Sequence, residues 1–272
     1  MNTAKPPAPV LLQPPPFSRR KLFLTLPGLA AGFQAVVAVA AETTTAEPAP
    51  LRVGVSPVFP PMVFLQGKEL AGVEVDLARA LGEKLGRKVV FVELDWKDQT
   101  EALVARKTDI IMSSMSMTPA RNAVMSFTRP YFKVGQLALV RREDRNEHLF
   151  GVMVPPDTKV AVIKATTGDF LVQREFPKAN RKAYASGAEA ARALMKGSVD
   201  LVIADSTLVW YLAGTHAADG LSAVPFALSE EVLAWGVRRG NDDLLAAANE
   251  FIARATQDGT LAKTFRRWMA VE

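Results

Sequence analysis

The feature that most constrains this 272-residue chain is a pattern met twice. In each half an amphipathic helix is followed by a turn, then by an aspartate, three or four apolar residues and a polar cluster. In the first half, Leu51–Val55 alternates like a strand and Ser56–Pro61 breaks it into a loop. Val73, Leu77, Leu81 and Leu85 then recur at helical spacing and Gly86 stops them, so residues 72–85 form a helix. Val89–Leu94 is a strand. Asp98 with Glu101 resembles a capping box opening a short helix, and Asp109–Met112 is a buried strand ending in Ser113-Ser114. In the second half, Lys159–Ile163 is a strand and Thr167–Glu175 a helix. Ser186–Lys196 is a helix with a Ser186/Glu189 capping box, and Asp200–Ala204 a strand ending in Asp205-Ser206. Such alternation implies parallel sheets flanked by helices. Ligands of open α/β sheets sit beyond the carboxyl ends of the strands, so two facing sheets bring both polar clusters to one cleft. Leu233–Arg238 reads as a strand able to cross between the lobes. Helices Asp243–Ala255 and Thr260–Met269 finish the chain, their stripe of Leu244, Leu245, Ala248, Phe251, Ile252, Phe265 and Trp268 serving core packing.

The front end differs in kind. Pro-rich residues 1–17 precede Ser18-Arg19-Arg20-Lys21-Leu22-Phe23-Leu24, an apolar stretch broken by Pro27, Gly28 and Gly32, and a small-x-small site at Ala38-Val39-Ala40. That order reads as an export signal over residues 1–40, cleaved near Ala40, with 41–50 as linker and the mature chain in the periplasm. The paired arginines fit a twin-arginine signal, and fit equally the positive region of a general secretory one. A membrane anchor is the other reading, weakened by the Gly/Pro breaks. Four of the 33 basic residues (Lys5, Arg19, Arg20, Lys21) lie in this segment without an acid, which leaves 29 against 28 acids and reduces the net charge of +5 to +1. No basic block with interleaved aromatics remains, which argues against nucleic-acid binding. The lack of cysteine excludes disulfides, thiolate chemistry and a lipid-modified N-terminal cysteine. The two histidines, His148 and His216, stand apart in polar sequence and read as surface residues, so neither a metal site nor any other cofactor is expected.

Several blocks carry a family likeness. Gly72-Val73-Glu74-Val75-Asp76-Leu77, with Leu81, Gly82 and Leu85, resembles the signature helix of family 3 extracellular solute-binding proteins, although Val73 is smaller than the usual residue. Asp109-Ile110-Ile111-Met112-Ser113-Ser114-Met115-Ser116-Met117-Thr118, then Arg121 and Phe127-Thr128-Arg129-Pro130-Tyr131, resembles the family's carboxylate-binding segment. Ile163-Lys164-Ala165-Thr166-Thr167-Gly168 and Asp205 extend the likeness, with Ala165 where many relatives have glycine. The resemblance implies a type II periplasmic-binding-protein-like fold: two α/β lobes joined by a hinge with a ligand cleft between them. It implies lobe 1 from residues 51–137 and 237–272, and lobe 2 from 138–236. It implies a monomer that delivers an amino acid to the membrane permease of an ABC importer. By the same likeness Arg121, Ser114, Ser116 and Thr167 bind the ligand carboxylate, and Asp205 with Ser113 or Ser114 binds its ammonium. Phe59 and Trp96 flank the side chain, with Ser56 and Ile163 beside it. The chemistry agrees, because an arginine fork suits a carboxylate and a carboxylate suits an ammonium.

Local readings compete. Asp205 is equally suited to cap the helix that begins near Thr207; Glu74 and Asp76 read as helix N-terminal charges; Trp96 suits a half-buried core. Basic-amino-acid binders of the family place an acid where Ser56 stands, and glutamine binders a lysine where Ile163 stands, so the resemblance implies a neutral ligand side chain, apolar or aromatic. The rival is an enzyme resembling the cyclohexadienyl (arogenate) dehydratases of the same fold, which carry a glutamate shortly after the strand-end aspartate. Here Asp205-Ser206-Thr207-Leu208-Val209-Trp210 has none, which favours a binding protein.

Overall fold

The computed structural model describes residues 48–148, 151–152 and 154–269. The proposed export signal and its cleavage site lie outside them.

Leu51, Val53 and Val55 are fully buried, which is why Leu51–Val55 takes the inside of a parallel sheet. Its neighbours are Val89–Glu93 and Ile110–Ile111, both parallel, followed by Gly236–Val237 and Ser126–Phe127, each antiparallel to the strand before it. The second sheet runs Asn180–Tyr184, Lys159–Ile163, Leu201–Asp205, Gln136–Arg141, Leu221–Val224, with the first three parallel and each of the last two antiparallel to the strand before it. The repeated sequence pattern is therefore a repeated topology. In each sheet the fourth strand is contributed by chain that has just crossed from the other sheet.

The sequence pattern omits four of these strands: Ser126–Phe127, Gln136–Arg141, Asn180–Tyr184 and Leu221–Val224. Asn180–Tyr184 is polar (NRKAY) and mostly exposed, as an edge strand can be, so no apolar alternation marks it. The helix α1 (Val73–Leu85) buries Val73, Leu77 and Leu81 and ends on Gly86 in the left-handed conformation, the usual helix stop. The short α2 (Gln99–Val104) follows a single turn at Trp96–Asp98. Asp98 does not cap it: its backbone is already helical and its side chain makes no capping bond. In α4 (Thr167–Glu175) the cap is Thr166, and in α5 (Gly187–Met195) it is Ser186, which accepts from the Glu189 N–H at 3.2 Å. The last helices are α7 (Asp242–Gln257) and α8 (Thr260–Trp268), with Leu244, Ala248, Phe251 and Ile252 buried.

The chain crosses between sheets twice, through Phe132–Val134 and back through Glu231–Leu233. The two segments pair antiparallel, Glu231 opposite Val134 and Leu233 opposite Phe132. The expected strand at 233–238 is divided, because Ala234 and Trp235 separate Glu231–Leu233 from Gly236–Val237. The second sheet accordingly starts at Gln136, and the return strand of the first at Gly236. His148 is buried rather than on the surface, and His216 is half-buried with its ring 2.8 Å from Asp219.

Candidate functional site

The strand Ile110–Ile111 ends in a turn that Glu74 holds. Ser114 takes a left-handed backbone (φ 55°), which costs a residue with a Cβ about 1–2 kcal/mol. Its N–H donates to Glu74 Oε1 at 2.8 Å. The same carboxylate, fully buried inside α1, accepts from the Tyr131 hydroxyl at 2.5 Å and from Trp235 Nε1 at 2.9 Å. Burial pushes the Glu74 carboxyl up, and these three donors work against that rise. Glu74 is thus more than a helix-terminal charge; it ties the serine turn to the crossing segments. Glu74→Ala orphans three buried donors at about 1–3 kcal/mol each, so a loss of at least about 3 kcal/mol is expected in denaturant unfolding. A loss below about 1 kcal/mol would show that solvent replaces the carboxylate.

After the turn, Thr118 caps the single-turn α3 (Pro119–Asn122) by accepting from the Arg121 N–H at 3.2 Å. This explains the three-residue spacing of threonine and arginine. The cap fixes the backbone of Arg121, whose guanidinium turns back to donate to the Ser116 carbonyl at 2.7 Å. It also lies 5.0 Å from the centre of the Trp96 ring. Trp96 meets Phe59 edge-on at 5.1 Å and donates its indole N–H to the Ala165 carbonyl at 2.9 Å. That bond crosses from the loop after one sheet's strand to the loop after the other's. Ala165 holds φ 61°, the left-handed conformation that a glycine would take without strain.

From the second sheet, Asp205 ends its strand and stands at the N-cap of α6 (Ser206–Thr215), yet its side chain makes no capping bond. Instead Oδ1 accepts from Gln136 Nε2 at 2.7 Å. Burial and the nearby Glu231 carboxylate push the Asp205 carboxyl up to about 6, with Gln136 and Arg121 opposing. Burial lowers the Arg121 guanidinium, while Asp205 and Glu231 raise it.

Phe59, Trp96, Ser114, Ser116, Arg121, Thr166, Thr167 and Asp205 line one narrow slot of about 10 Å³. Past Trp96, Arg121 and Thr167 lies a wider cavity of about 650 Å³ that reaches Met117, Thr118 and Glu231. The Ser114 hydroxyl is buried without a partner. The start of α4 adds the positive dipole end of a helix N-terminus at Thr166–Thr167. Three residues expected at the site lie outside the slot. The Ser113 hydroxyl is spent on the Ser56 N–H at 2.8 Å. The Ser56 hydroxyl is fully buried, donating to the Leu94 carbonyl at 2.7 Å and accepting from Gln99 at 3.1 Å. Ile163 is packed in the core at 2% exposure, because its strand runs through the middle of the second sheet. Thr166, Gln136, Glu231 and the anchoring role of Glu74 were missed. Only Thr166 carried a local signal, a threonine followed three residues later by Asp169, whose N–H it caps at 3.4 Å.

Two α/β sheets joined by a paired double crossing, with a guanidinium and a carboxylate brought from opposite sheets into one slot, define a two-lobed binding protein. The chain belongs to the bacterial extracellular solute-binding proteins, family 3, whose sequence profile matches residues 51–271. It is 25% identical over 228 residues to the L-cystine-binding protein TcyJ of Escherichia coli K12, covering 82% of this chain and 83% of that protein. It is 28% identical over 229 residues to the L-arginine-binding protein of Pseudomonas aeruginosa, covering 79% and 86%. Among solved structures, the ancestral amino acid-binding protein AncCDT-1, a precursor of cyclohexadienyl dehydratase, matches with a TM-score of 0.74 and 32% identity over 80% of this chain and 95% of that one. An ancestral arginine-binding protein bound to arginine matches at 0.73 and 28%, over 81% and 98%. Family members are extracellular solute-binding proteins that work with ABC transporters, and among the described residues no helix is long and apolar enough to cross a membrane.

Proposed function

We propose that this chain captures a neutral α-amino acid in the periplasm and presents it to the permease of an ABC importer. The observation that carries the reading is the pairing of Arg121 and Asp205 in one slot with an unpartnered Ser114 hydroxyl. A free amino acid carries a carboxylate and an ammonium on one carbon. The guanidinium, the Ser114 hydroxyl and the α4 N-terminus suit the first, and Asp205 suits the second. Each charged group comes from a different sheet, so a ligand holding both favours the closed arrangement, and hinge motion about the crossings admits it. Phe59 and Trp96 add apolar walls, and the slot lining holds no charge beyond that pair. Within the slot a cationic side chain loses hydration without gaining a partner, which supports a neutral one; Lys97, Arg174, Glu230 and Glu231 line only the wider cavity beyond.

A dehydratase is the second reading, favoured by the raised carboxyl of Asp205, a proton donor close to neutral pH. Against it, Ser206, Thr207 and Leu208 at the start of α6 are buried and offer no acid. Thermal-shift screening of the mature chain against the common amino acids, arogenate and prephenate tests both. A ligand at 100 times its Kd adds about 2.7 kcal/mol of stability. The expected result is a shift with a neutral amino acid and no turnover of arogenate or prephenate. Best stabilisation by arginine or lysine would overturn the neutral side chain, and no shift with any amino acid would overturn the amino-acid reading itself.

A further inference from the structure

Behind Asp205 lies a network that the slot lining does not include. Gln136, fully buried, is the first residue of the second sheet after the outward crossing and the ladder partner of Asp205. Its N–H donates to the Ser229 hydroxyl at 3.1 Å, and its carbonyl accepts from the Leu228 N–H at 2.8 Å. Its side-chain Nε2 has two protons and three acceptors within reach: Asp205 Oδ1 at 2.7 Å, Glu231 Oε1 at 3.0 Å and Thr167 Oγ1 at 3.2 Å. Glu231 Oε1 also accepts from the Ser229 hydroxyl at 2.8 Å, whereas its Oε2 is buried without a partner. Gly168 closes the other side, since a Cβ there would meet Gln136 Oε1 at 2.5 Å. In this position the amide bridges the two carboxylates, while its Oε1 is buried without a partner.

We propose that Gln136 and Glu231 are positioning residues that aim Asp205 at the ligand's ammonium and couple it to the hinge. The inference rests on the reading that Asp205 receives the ammonium. By occupying Oδ1, the only Asp205 oxygen bonded among the described residues, Gln136 leaves Oδ2 for the slot. Glu231 stands on the returning crossing, paired with Val134, so hinge movement changes the distance between its charge and Asp205. With the crossings in the present arrangement the negative charge beside Asp205 favours an arriving cation. The charged or titratable groups around Asp205 are Glu231 on the returning crossing, Arg121 of α3 and Tyr131 ahead of the outward crossing, with Gln136 and Thr167 as neutral neighbours. Arg121 is the group left to the ligand carboxylate, so the two carboxylates together favour the ammonium.

The test is calorimetry with the amino acid that stabilises the wild type, and with its α-hydroxy analogue, across pH 4.5–8. Gln136→Leu is expected to weaken the amino acid roughly tenfold or more and the α-hydroxy acid by no more than about twofold. A purely structural role predicts equal losses for both, and that result would overturn the proposal. Glu231→Gln keeps shape and hydrogen-bonding capacity while removing the charge. It is expected to move the pH midpoint of amino-acid binding downward by about one unit, because Asp205 no longer faces a second negative charge. An unmoved midpoint in folded Glu231→Gln overturns the proposal even where Gln136→Leu fails to fold. The underlying reading fails differently: wild type then binds no amino acid, or binds it with an affinity that Asp205→Asn leaves unchanged.

Discussion

Arg121→Ala is expected to weaken amino-acid binding about 30-fold or more while leaving the unfolding midpoint close to that of the wild type. Truncating one partner of a buried, hydrogen-bonded charge pair costs about 2–5 kcal/mol, much of it from the other charge left buried alone. In the slot the abandoned charge is the ligand carboxylate, with only the Ser114 hydroxyl and the α4 terminus to answer it. Stability is spared because Arg121 makes few bonds to the rest of the protein. Its guanidinium donates to the Ser116 carbonyl and lies against Trp96, and its N–H bond to Thr118 belongs to the backbone and survives truncation. Arg121→Lys is expected to recover only part of the loss, since an ammonium cannot present the two-pronged fork. Calorimetry beside denaturant unfolding separates the two effects, and unchanged affinity in a folded Arg121→Ala protein removes Arg121 from the site.

The second large effect is on pH. The Asp205 carboxyl is held at about 6, so it is ionised at pH 7.5 and mostly protonated at pH 5. An ammonium requires the ionised form, and a proton bound to Asp205 has to leave before the ligand enters. Affinity is therefore flat above about pH 7 and falls toward tenfold per unit below 6, giving roughly tenfold weaker binding at pH 5 than at pH 7.5. Stability of the free protein runs the other way. A carboxyl raised on folding binds its proton more tightly in the folded state, so this group's contribution grows as pH falls from about 6 toward 4 and is lost as pH rises through about 6. Asp205→Asn is expected to abolish both dependences and to weaken the amino acid far more than its des-amino analogue. Equal losses for the two ligands would show that Asp205 does not meet the ammonium.

Much of this was legible in the residues themselves. Strands and helices followed from spacing: Val73, Leu77 and Leu81 lie on one face because 3.6 residues make a turn, and that face is buried. Gly86 and Ser186 act at helix ends through their own backbone and neighbours, so their roles are local and readable. Both charged residues that line the slot were named through the family likeness, with short polar residues nearby at the strand ends. The polar edge strand Asn180–Tyr184 escaped because exposure on an edge removes the apolar alternation that marks a strand. The direction in which a side chain spends its hydrogen bonds escaped as well. Ser113, Ser114 and Ser116 are alike in sequence, yet Ser113 is consumed inward by Ser56 while Ser114 remains unpartnered.

Only the tertiary structure decided how the buried polar groups pair. Glu74 meets Trp235 across 161 positions, and Gln136 meets Glu231 across 95. Neither pairing leaves a local trace, since a glutamate in the first turn of a helix and a glutamine opening a strand are unremarkable where they stand. Burial makes them matter, because a polar group withdrawn from water must find its partner wherever the chain returns. Periodicity and turn chemistry act within a few residues, so the helices and strands of the repeated pattern were legible in the sequence, and the two charged residues of the slot through the family likeness. Which carboxylate stands behind which, and what holds each in place, depends on two crossings that bring distant segments side by side.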